Sequence, residues 1–281
     1  MMLINMLWWH PYAIVGFNQL FGGAPAGAAT FAVGWGEGFD QVAEWLNQQP
    51  DSTGVLTISR MITSLNPYLD SGVQAFFPSE GTLRDNAGYV VVYISEVQGG
   101  PPLPPSDQFY GKAVPVHQVV LHGVPYAWMY HVAPAVMHQR DATFGDGLQL
   151  YGFDVLADAA PGQTLWLKLI WYPTSTSTTD YWLFAHLIGS DGTRYAQVDQ
   201  PYPTTQWQPG RYTPMELPID LPADLPAGTY QLLIGLYDPT SGQRLPLNPS
   251  PAAPRNPSPP APLPQGERGV TALSLFDVVV E

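Results

Sequence analysis

The sequence predicts a protein of the α+β or all-β class, in which a small α/β unit is followed by an antiparallel, jelly-roll-like β-sandwich. Hydrophobic residues make up 45% of the chain and aromatic residues 12%, so the chain can bury a substantial core. Proline (31 residues) and glycine (27 residues) are frequent, as expected where tight turns join many short strands. With 281 residues the chain is long enough for two domains.

Residues 1–27 are predicted to form an apolar, glycine-rich, membrane-proximal segment. Met1 to Leu7 are largely apolar, Trp8 and Trp9 follow, and His10-Pro11 interrupts the run. Short apolar runs are common in protein cores, which favours a partly buried arm. Paired tryptophans also suit a membrane–water interface, which favours the end of a membrane helix. At the level of the sequence both interpretations stay open.

Residues 28–134 carry the pattern of a small α/β domain. The apolar spacing after Gly34-Trp35-Gly36-Glu37-Gly38 predicts a helix that runs to about Gln49. Residues 99–105 are rich in glycine and proline and predict a surface loop. The predicted strands are Val55–Ser59, Tyr89–Ser95 and a hairpin made of Val116–Leu121 and Pro125–Val132.

Residues 135–281 show strand patterns alone, which favours a sandwich. Turn dipeptides such as Pro161-Gly162 and Asp191-Gly192 separate the candidate strands. The proline-rich stretch 246–264 is predicted to be an irregular or polyproline loop ahead of the last strand. The predicted strands are Leu148–Val155, Thr164–Tyr172, Tyr181–Ile188, Tyr195–Asp199, Met215–Asp220, Gly228–Tyr237 and Thr271–Val280.

The charge balance and the cysteine content exclude several classes of function. Ten Lys and Arg residues stand against 23 Asp and Glu residues, which gives a net charge of −13. Such a surface repels a phosphate backbone, so we expect no nucleic-acid partner. The low content of basic residues is typical of the outer side of a membrane. The chain contains no cysteine, which excludes disulfides, thiolate metal ligands and cysteine nucleophiles.

Two sequence patterns could indicate a phosphate-binding site or a metal site, but a structural role explains each of them better. Gly34-x-Gly36-x-Gly38 lacks the spacing of a dinucleotide fingerprint, and Glu37 would repel a phosphate, so a tight turn at the helix start is favoured. The six histidines show no dense metal-ligand spacing, which favours surface or core histidines over a zinc site. No GxSxG motif occurs. We therefore predict no catalytic residue, no metal ligand and no cofactor.

The strongest candidate for a ligand site lies on the aromatic strands of the predicted sandwich. Along Tyr181–Ile188 both alternating sets of residues are largely apolar, so one set faces the core and the other is expected to be covered. If the polar residues of Tyr195–Asp199 adjoin these aromatics, the group has the composition of a sugar-binding groove. Packing between the domains is the alternative. The predicted ligand-binding residues are Trp182, His186, Gln197, Asp199 and Trp207.

Several motifs, in order along the chain, carry a resemblance to a known enzyme family. They are His10-Pro11-Tyr12, Gly34-Trp35-Gly36-Glu37-Gly38, Tyr89-Val90-Val91-Val92-Tyr93-Ile94, Asp180-Tyr181-Trp182-Leu183-Phe184-Ala185-His186-Leu187 and Trp207-Gln208-Pro209-Gly210. The chain resembles the carboxy-terminal, extracytoplasmic region of bacterial family 39 glycosyltransferases, which are similar to polyprenyl-phosphate-mannose protein mannosyltransferases. The resemblance implies a parent enzyme that takes a sugar from a polyprenyl-phosphate carrier. The catalytic carboxylates expected of that family belong to its membrane part, so none is carried over to this chain.

Three hypotheses of function follow. The first is a non-catalytic module of a membrane glycosyltransferase-like protein, present as a fragment or split gene product at the extracytoplasmic face of the cell membrane. Its partners would be the membrane part of the same or an adjacent protein and a glycan or acceptor. The second is a free-standing carbohydrate-binding β-sandwich protein. The third is a structural or assembly module.

Overall fold

The computed structural model describes residues 9–17, 19–157, 160–249 and 271–280. It confirms the predicted fold class, because a small α/β part is followed by a β-sandwich. The chain divides into two compact units, residues 1–134 and residues 135–281, which we call the α/β unit and the sandwich. Each unit has a hydrophobic core of its own.

The α/β unit is built on one five-stranded mixed sheet. Its strands are β1 (Leu56–Ser59), β2 (Gln74–Phe76), β3 (Ala87–Tyr93), β4 (His117–Leu121) and β5 (Val124–His131). Its α-helices within the described ranges are α1 (Gly23–Thr30), α2 (Phe39–Asn47), α3 (Ile62–Leu65) and α4 (Ile94–Val97). The strand order is β2-β1-β3-β5-β4. β1 is parallel to β2 and β3, and β5 is antiparallel to β3 and β4.

Helix α2 covers one face of this sheet because its apolar residues recur at helical spacing. Its buried residues are Phe39, Val42, Ala43 and Leu46. They share a core cluster with Tyr89 and Tyr93 of β3, whereas Val90 and Val92 belong to a second cluster. Successive residues of a strand point to opposite faces, so β3 is covered on both sides. This double cover explains its continuous apolar sequence.

The sandwich consists of a four-stranded and a five-stranded sheet. Its strands are β6 (His138–Phe144), β7 (Leu148–Val155), β8 (Thr164–Pro173), β9 (Trp182–Gly189), β10 (Arg194–Pro201), β11 (Thr213–Asp220), β12 (Gly228–Tyr237), β13 (Leu247–Pro249) and β14 (Leu273–Val280). The strand orders are β10-β9-β12-β14 and β11-β8-β7-β6-β13. All these neighbours are antiparallel. Leu165 and Leu167 of β8 are buried in the core, whereas Trp166 between them is 39% exposed.

The structure contains several elements that the sequence patterns did not predict. Helix α1 is composed mainly of glycine and alanine and has no amphipathic pattern, and β6 begins with the polar run His138-Gln139-Arg140-Asp141. The predicted strand Tyr89–Ser95 ends at Tyr93, where α4 begins. The start of the predicted proline-rich loop, Leu247–Pro249, is a strand that pairs with β6. Residues 250–264 of that loop lie outside the described residues.

The amino-terminal segment joins the core of the α/β unit. Trp9 is buried, and its ring lies 4.2 Å from that of His122. Trp9 is therefore a core residue, as the interpretation of a partly buried arm expects. Met1 to Trp8 lie outside the described residues. Within the described ranges, no helix has the length and apolar character needed to cross a bilayer.

Candidate functional site

Strand β9 separates a core face from an outer face by simple alternation. Leu183, Ala185 and Leu187 are buried in the core between the two sheets. Trp182, Phe184 and His186 therefore point to the opposite side of the four-stranded sheet. The sequence predicted this division, although it did not show which of the two sets faces the core.

Strand register brings most of the predicted site residues onto one surface. Asp199 of β10 and Gly235 of β12 lie directly opposite Phe184, and Gln197 lies opposite His186. Tyr237 of β12 lies opposite Trp182. Directly paired residues point to the same side of a sheet. We call the resulting surface the outer face: Trp182, Phe184, His186, Gln197, Asp199 and Tyr237.

Phe184 forms the buried centre of the outer face, with only 3% of its surface exposed. Its ring occupies the space above Gly235, where an added Cβ would lie 2.3 Å from the Phe184 Cζ atom. The Arg244 guanidinium lies over the same ring at 4.5 Å from its centroid. Arg244 reaches this position because it pairs with Tyr237 in the hairpin that follows β12. Phe184 thus supports its neighbours and is not itself open to a ligand.

The aromatic neighbours of Phe184 are only partly covered. The ring of His186 lies 5.0 Å from that of Phe184, and the ring of Tyr237 lies 6.3 Å away. Trp182 lies 6.4 Å from Tyr237. Trp182, His186 and Tyr237 are half-buried, whereas Gln197 and Asp199 are exposed. The outer face therefore presents aromatic rings beside exposed polar groups.

Electrostatics keep His186 neutral near pH 7. Burial lowers the pKa of its imidazole below the usual 6.5, and the positive charges of Arg194 and Arg244 lower it further. Asp199 opposes this effect in part. A neutral imidazole has one N–H donor and one nitrogen acceptor. Burial and the Asp199 carboxylate raise the pKa of the Tyr237 hydroxyl.

Trp207 does not belong to the outer face, contrary to the expectation from sequence. It is 6% exposed and lies in the core cluster, with its ring 5.8 Å from Trp171 and 5.6 Å from Tyr202. Tyr195 also departs from the expected face. A register shift in β10 between Arg194 and Ala196 lets its ring pack 5.1 Å from Tyr230 at the margin of the core.

The remaining candidate carboxylates of the sandwich hold turns and strand ends. Asp180 accepts hydrogen bonds from the backbone N–H and the hydroxyl of Thr205, and these bonds lower the pKa of its carboxyl. Asp220 accepts a 2.6 Å hydrogen bond from the Thr164 hydroxyl between β11 and β8. Both carboxyl groups therefore have structural roles at strand ends.

The glycine motif of the α/β unit is closed by the chain's own side chains. Gly34, Gly36 and Gly38 all have positive φ. The Trp35 N–H donates to Glu37 Oε2 at 2.7 Å, and the Tyr93 hydroxyl donates to the same oxygen at 3.1 Å. The Gly36 N–H in turn donates to the Tyr93 oxygen at 3.2 Å. The interpretation as a tight turn at the helix start is confirmed, because the Glu37 carboxylate and the Tyr93 oxygen already accept the N–H groups of Trp35 and Gly36.

Histidines of both units pack on aromatic rings. His117 stacks on Trp45 at 5.3 Å, and burial lowers the pKa of its imidazole. His131 stacks on Tyr89 at 5.3 Å, and His138 on Phe153 at 4.7 Å. Within the ranges that the structure describes, no group of three or more histidine or carboxylate side chains is placed to hold a metal ion.

Sequence reasoning missed three residues that shape the outer face, namely Phe184, Tyr237 and Arg244. Tyr237 closes a strand that was predicted correctly, but its place beside Trp182 follows from the pairing of β12 with β9. Arg244 depends in addition on the hairpin after β12. No local pattern reveals which strands are neighbours in a sheet, so only the alternation within β9 signalled this face.

No family model and no curated protein matches the chain. Solved structures match parts of the chain at low similarity. A β-glucuronidase from glycoside hydrolase family 2 is 9% identical, with a TM-score of 0.25 over 31% of this chain and 9% of that enzyme. The Bacteroides uniformis β-glucuronidase is 14% identical, with a TM-score of 0.27 over 44% of this chain and 14% of the enzyme.

A Niemann-Pick type C2 protein from the Japanese carpenter ant is also similar in part. It is 8% identical, with a TM-score of 0.24 over 40% of this chain and 91% of that protein. The chain thus spans about a tenth of the length of the glucuronidases that it matches. Similarities at this level do not indicate a function.

Proposed function

We propose that this chain is a non-catalytic module that holds a glycan on the outer face of the sandwich, as part of a membrane glycosyltransferase-like protein on the extracytoplasmic side. One observation carries the proposal. Half-buried Trp182 and Tyr237 share a surface with His186 and with the exposed side chains of Gln197 and Asp199.

The chemistry of this surface suits a sugar ring. A sugar presents C–H groups on one face and hydroxyl groups around its edge, so it can pack on Trp182 while its hydroxyls reach polar neighbours. Neutral His186 offers a donor and an acceptor, the Gln197 amide offers both, and the Asp199 carboxylate accepts. Phe184 and Arg244 beneath and beside these groups limit their motion, which reduces the entropy lost on binding.

The role of the carboxylates supports binding and not hydrolysis. Asp199 shares the outer face with Tyr237, and Asp180 and Asp220 hold strand ends. A glycosidase would instead need two carboxyl groups aimed at one bond, about 5 to 10 Å apart. The proposed membrane location and parent enzyme rest on the resemblance of the sequence motifs to family 39 glycosyltransferases. A gene for membrane helices next to this one in the genome would favour that role over a free-standing carbohydrate-binding protein.

The glycan proposal is tested by affinity electrophoresis of the full chain in gels that contain soluble mannan, dextran or β-glucan, followed by calorimetry with the polymer that retards it. We expect retardation by at least one polymer. Trp182→Ala should weaken binding about tenfold or more, since aromatic anchors dominate such contacts. Trp166→Ala removes an exposed tryptophan from the other sheet and serves as the matched control, with unchanged affinity.

Two results would contradict the proposal. The first is migration unaffected by all three polymers in the wild-type chain. The second is unchanged affinity in both Trp182→Ala and Tyr237→Ala. In the second case the outer face would serve packing or assembly, as the third hypothesis states.

A further inference from the structure

The first charged side chain of the protein is Glu37, since none of the first 36 residues is Asp, Glu, Lys or Arg. In the described part of this stretch, large apolar side chains are exposed. They are Ile14 (62%), Leu20 (90%), Phe21 (81%), Phe31 (61%) and Trp35 (76%), and we call them the apolar surface. Single exposed apolar residues are ordinary in soluble proteins, but several large ones in a stretch without charged side chains are unusual.

The backbone beneath the apolar surface is held in place by packing and hydrogen bonds. Phe17 packs so closely on Gly27 of α1 that an added Cβ would lie 2.2 Å from the Phe17 Cγ atom. The Gln98 side chain donates to the carbonyl oxygens of Ala28 and Phe31 at 2.8 and 3.1 Å, and it accepts from the Val33 N–H at 2.9 Å. These contacts anchor the backbone on either side of Phe31, so its ring stays at the surface.

The backbone is also held in place at Trp35, near the end of the uncharged stretch. The Glu37 carboxylate fixes the Trp35 backbone, whereas the Trp35 ring projects outward. Helix α1 links Phe21 to Phe31, and its exposed residues Pro25, Ala29 and Thr30 carry no charge. The segment from Leu20 to Trp35 therefore contains no charged side chain. Its exposed large apolar residues are Leu20, Phe21, Phe31 and Trp35.

We propose that the apolar surface inserts into the headgroup–acyl boundary of a zwitterionic lipid bilayer. A mixture of leucine, isoleucine, phenylalanine and tryptophan is what this boundary accommodates best, because tryptophan tolerates its partly polar environment. Met1 to Leu7, which precede the described residues, are largely apolar as well, so the sequence keeps the same character up to this surface.

The charge distribution favours lipid over protein and neutral lipid over acidic lipid. Protein interfaces are normally surrounded by a polar or charged rim, and this stretch supplies no ionised side chain for such a rim. The chain as a whole carries a net charge of −13, so acidic headgroups would repel it. Binding should therefore depend on apolar contact and hardly at all on basic residues.

The test is sedimentation of the full chain with phosphatidylcholine vesicles, compared with vesicles that also contain phosphatidylglycerol. We expect the protein to pellet with phosphatidylcholine and to bind less well as the phosphatidylglycerol content rises at low salt. The double variant Leu20→Ser/Phe21→Ser and the variant Trp35→Ser should each lower the partition coefficient at least about tenfold, because burial of one large apolar group contributes that much. These side chains are exposed, so the variants should keep the thermal transition of the wild type.

The control is Trp166→Ser, which removes an exposed tryptophan from the sandwich and should bind vesicles normally. Absence of binding to phosphatidylcholine, or equal binding by all variants, would overturn the proposal. So would a dimer in the ultracentrifuge without lipid that the Leu20→Ser/Phe21→Ser variant abolishes, since the surface would then bind a second copy. Trp182→Ala should retain vesicle binding, so failure of the glycan proposal and failure of this one give different results.

Discussion

At the scale of single residues, the structure separates three tryptophans that the sequence leaves equivalent. Trp182 lies on the outer face, Trp207 lies in the core of the sandwich, and Trp9 lies in the core of the α/β unit. The position of Trp207 differs from the expectation based on sequence, which placed it in the ligand site, and that of Trp9 agrees with one of the two interpretations left open. The same apolar ring of a tryptophan can pack in a core, against a sugar or at a membrane interface. Residue type alone therefore cannot distinguish the three roles.

The core position of Trp207 leads to a stability prediction. Trp207→Ala should lower the free energy of unfolding of the sandwich by about 3–5 kcal/mol, because a large cavity would open beside Trp171 and Tyr202. Urea unfolding followed by far-ultraviolet circular dichroism measures the change. Trp166→Ala, at a 39% exposed position, should cost far less. A loss below about 1 kcal/mol in Trp207→Ala would contradict the core assignment.

At the scale of elements, the outer face depends on β12 as much as on β9. β12 supplies Gly235, the position above which Phe184 lies, and the hairpin after it supplies Arg244. The hairpin is held by backbone hydrogen bonds between Leu245 and Leu236 and between Asp238 and Gln243. The sequence pattern of β12 predicted a strand. It did not indicate that Gly235, which has no side chain, would leave space for the Phe184 ring of β9.

Gly235→Ala should therefore destabilise the sandwich by about 1–3 kcal/mol, the usual cost of overpacking. The added methyl group would lie 2.3 Å from Phe184 Cζ and 2.6 Å from the Thr271 carbonyl oxygen, and the latter is backbone and cannot rotate away. Gly228→Ala on the same strand is the matched control, because the nearest atom to its Cβ is 3.8 Å away. Equal unfolding midpoints for the two variants in urea would show that the contact above Gly235 is unimportant.

At the scale of the whole molecule, the two units have separate cores. The core of the α/β unit consists of residues between Trp9 and Val132, and that of the sandwich consists of residues between Phe144 and Val280. A β-sandwich of this size buries about two thirds of the surface of its unfolded chain, which suffices for independent folding. The division also assigns the proposed glycan site to one unit and the proposed lipid contact to the other.

A fragment of residues 135–281 should consequently fold alone. We expect a single cooperative thermal transition and a strong near-ultraviolet circular dichroism signal, because Trp171 and Trp207 are held in an asymmetric core. The fragment should also retain the glycan affinity of the full chain. A featureless near-ultraviolet spectrum together with a broad, non-cooperative melt would show that the sandwich needs the α/β unit.

The sequence by itself determined the properties that depend on neighbours along the chain. Apolar segments separated by turn residues identified β7, β8, β9 and β12, and the helical spacing after Gly38 identified α2. Elements without a local signal, such as α1 and β6, escaped prediction because packing stabilises them and their own sequences do not. Only the tertiary structure decided that β12 lies beside β9, that Trp207 points inward, and that Arg244 reaches Phe184. Strand pairing and burial join residues far apart in the chain, and their free energies depend on the complete fold.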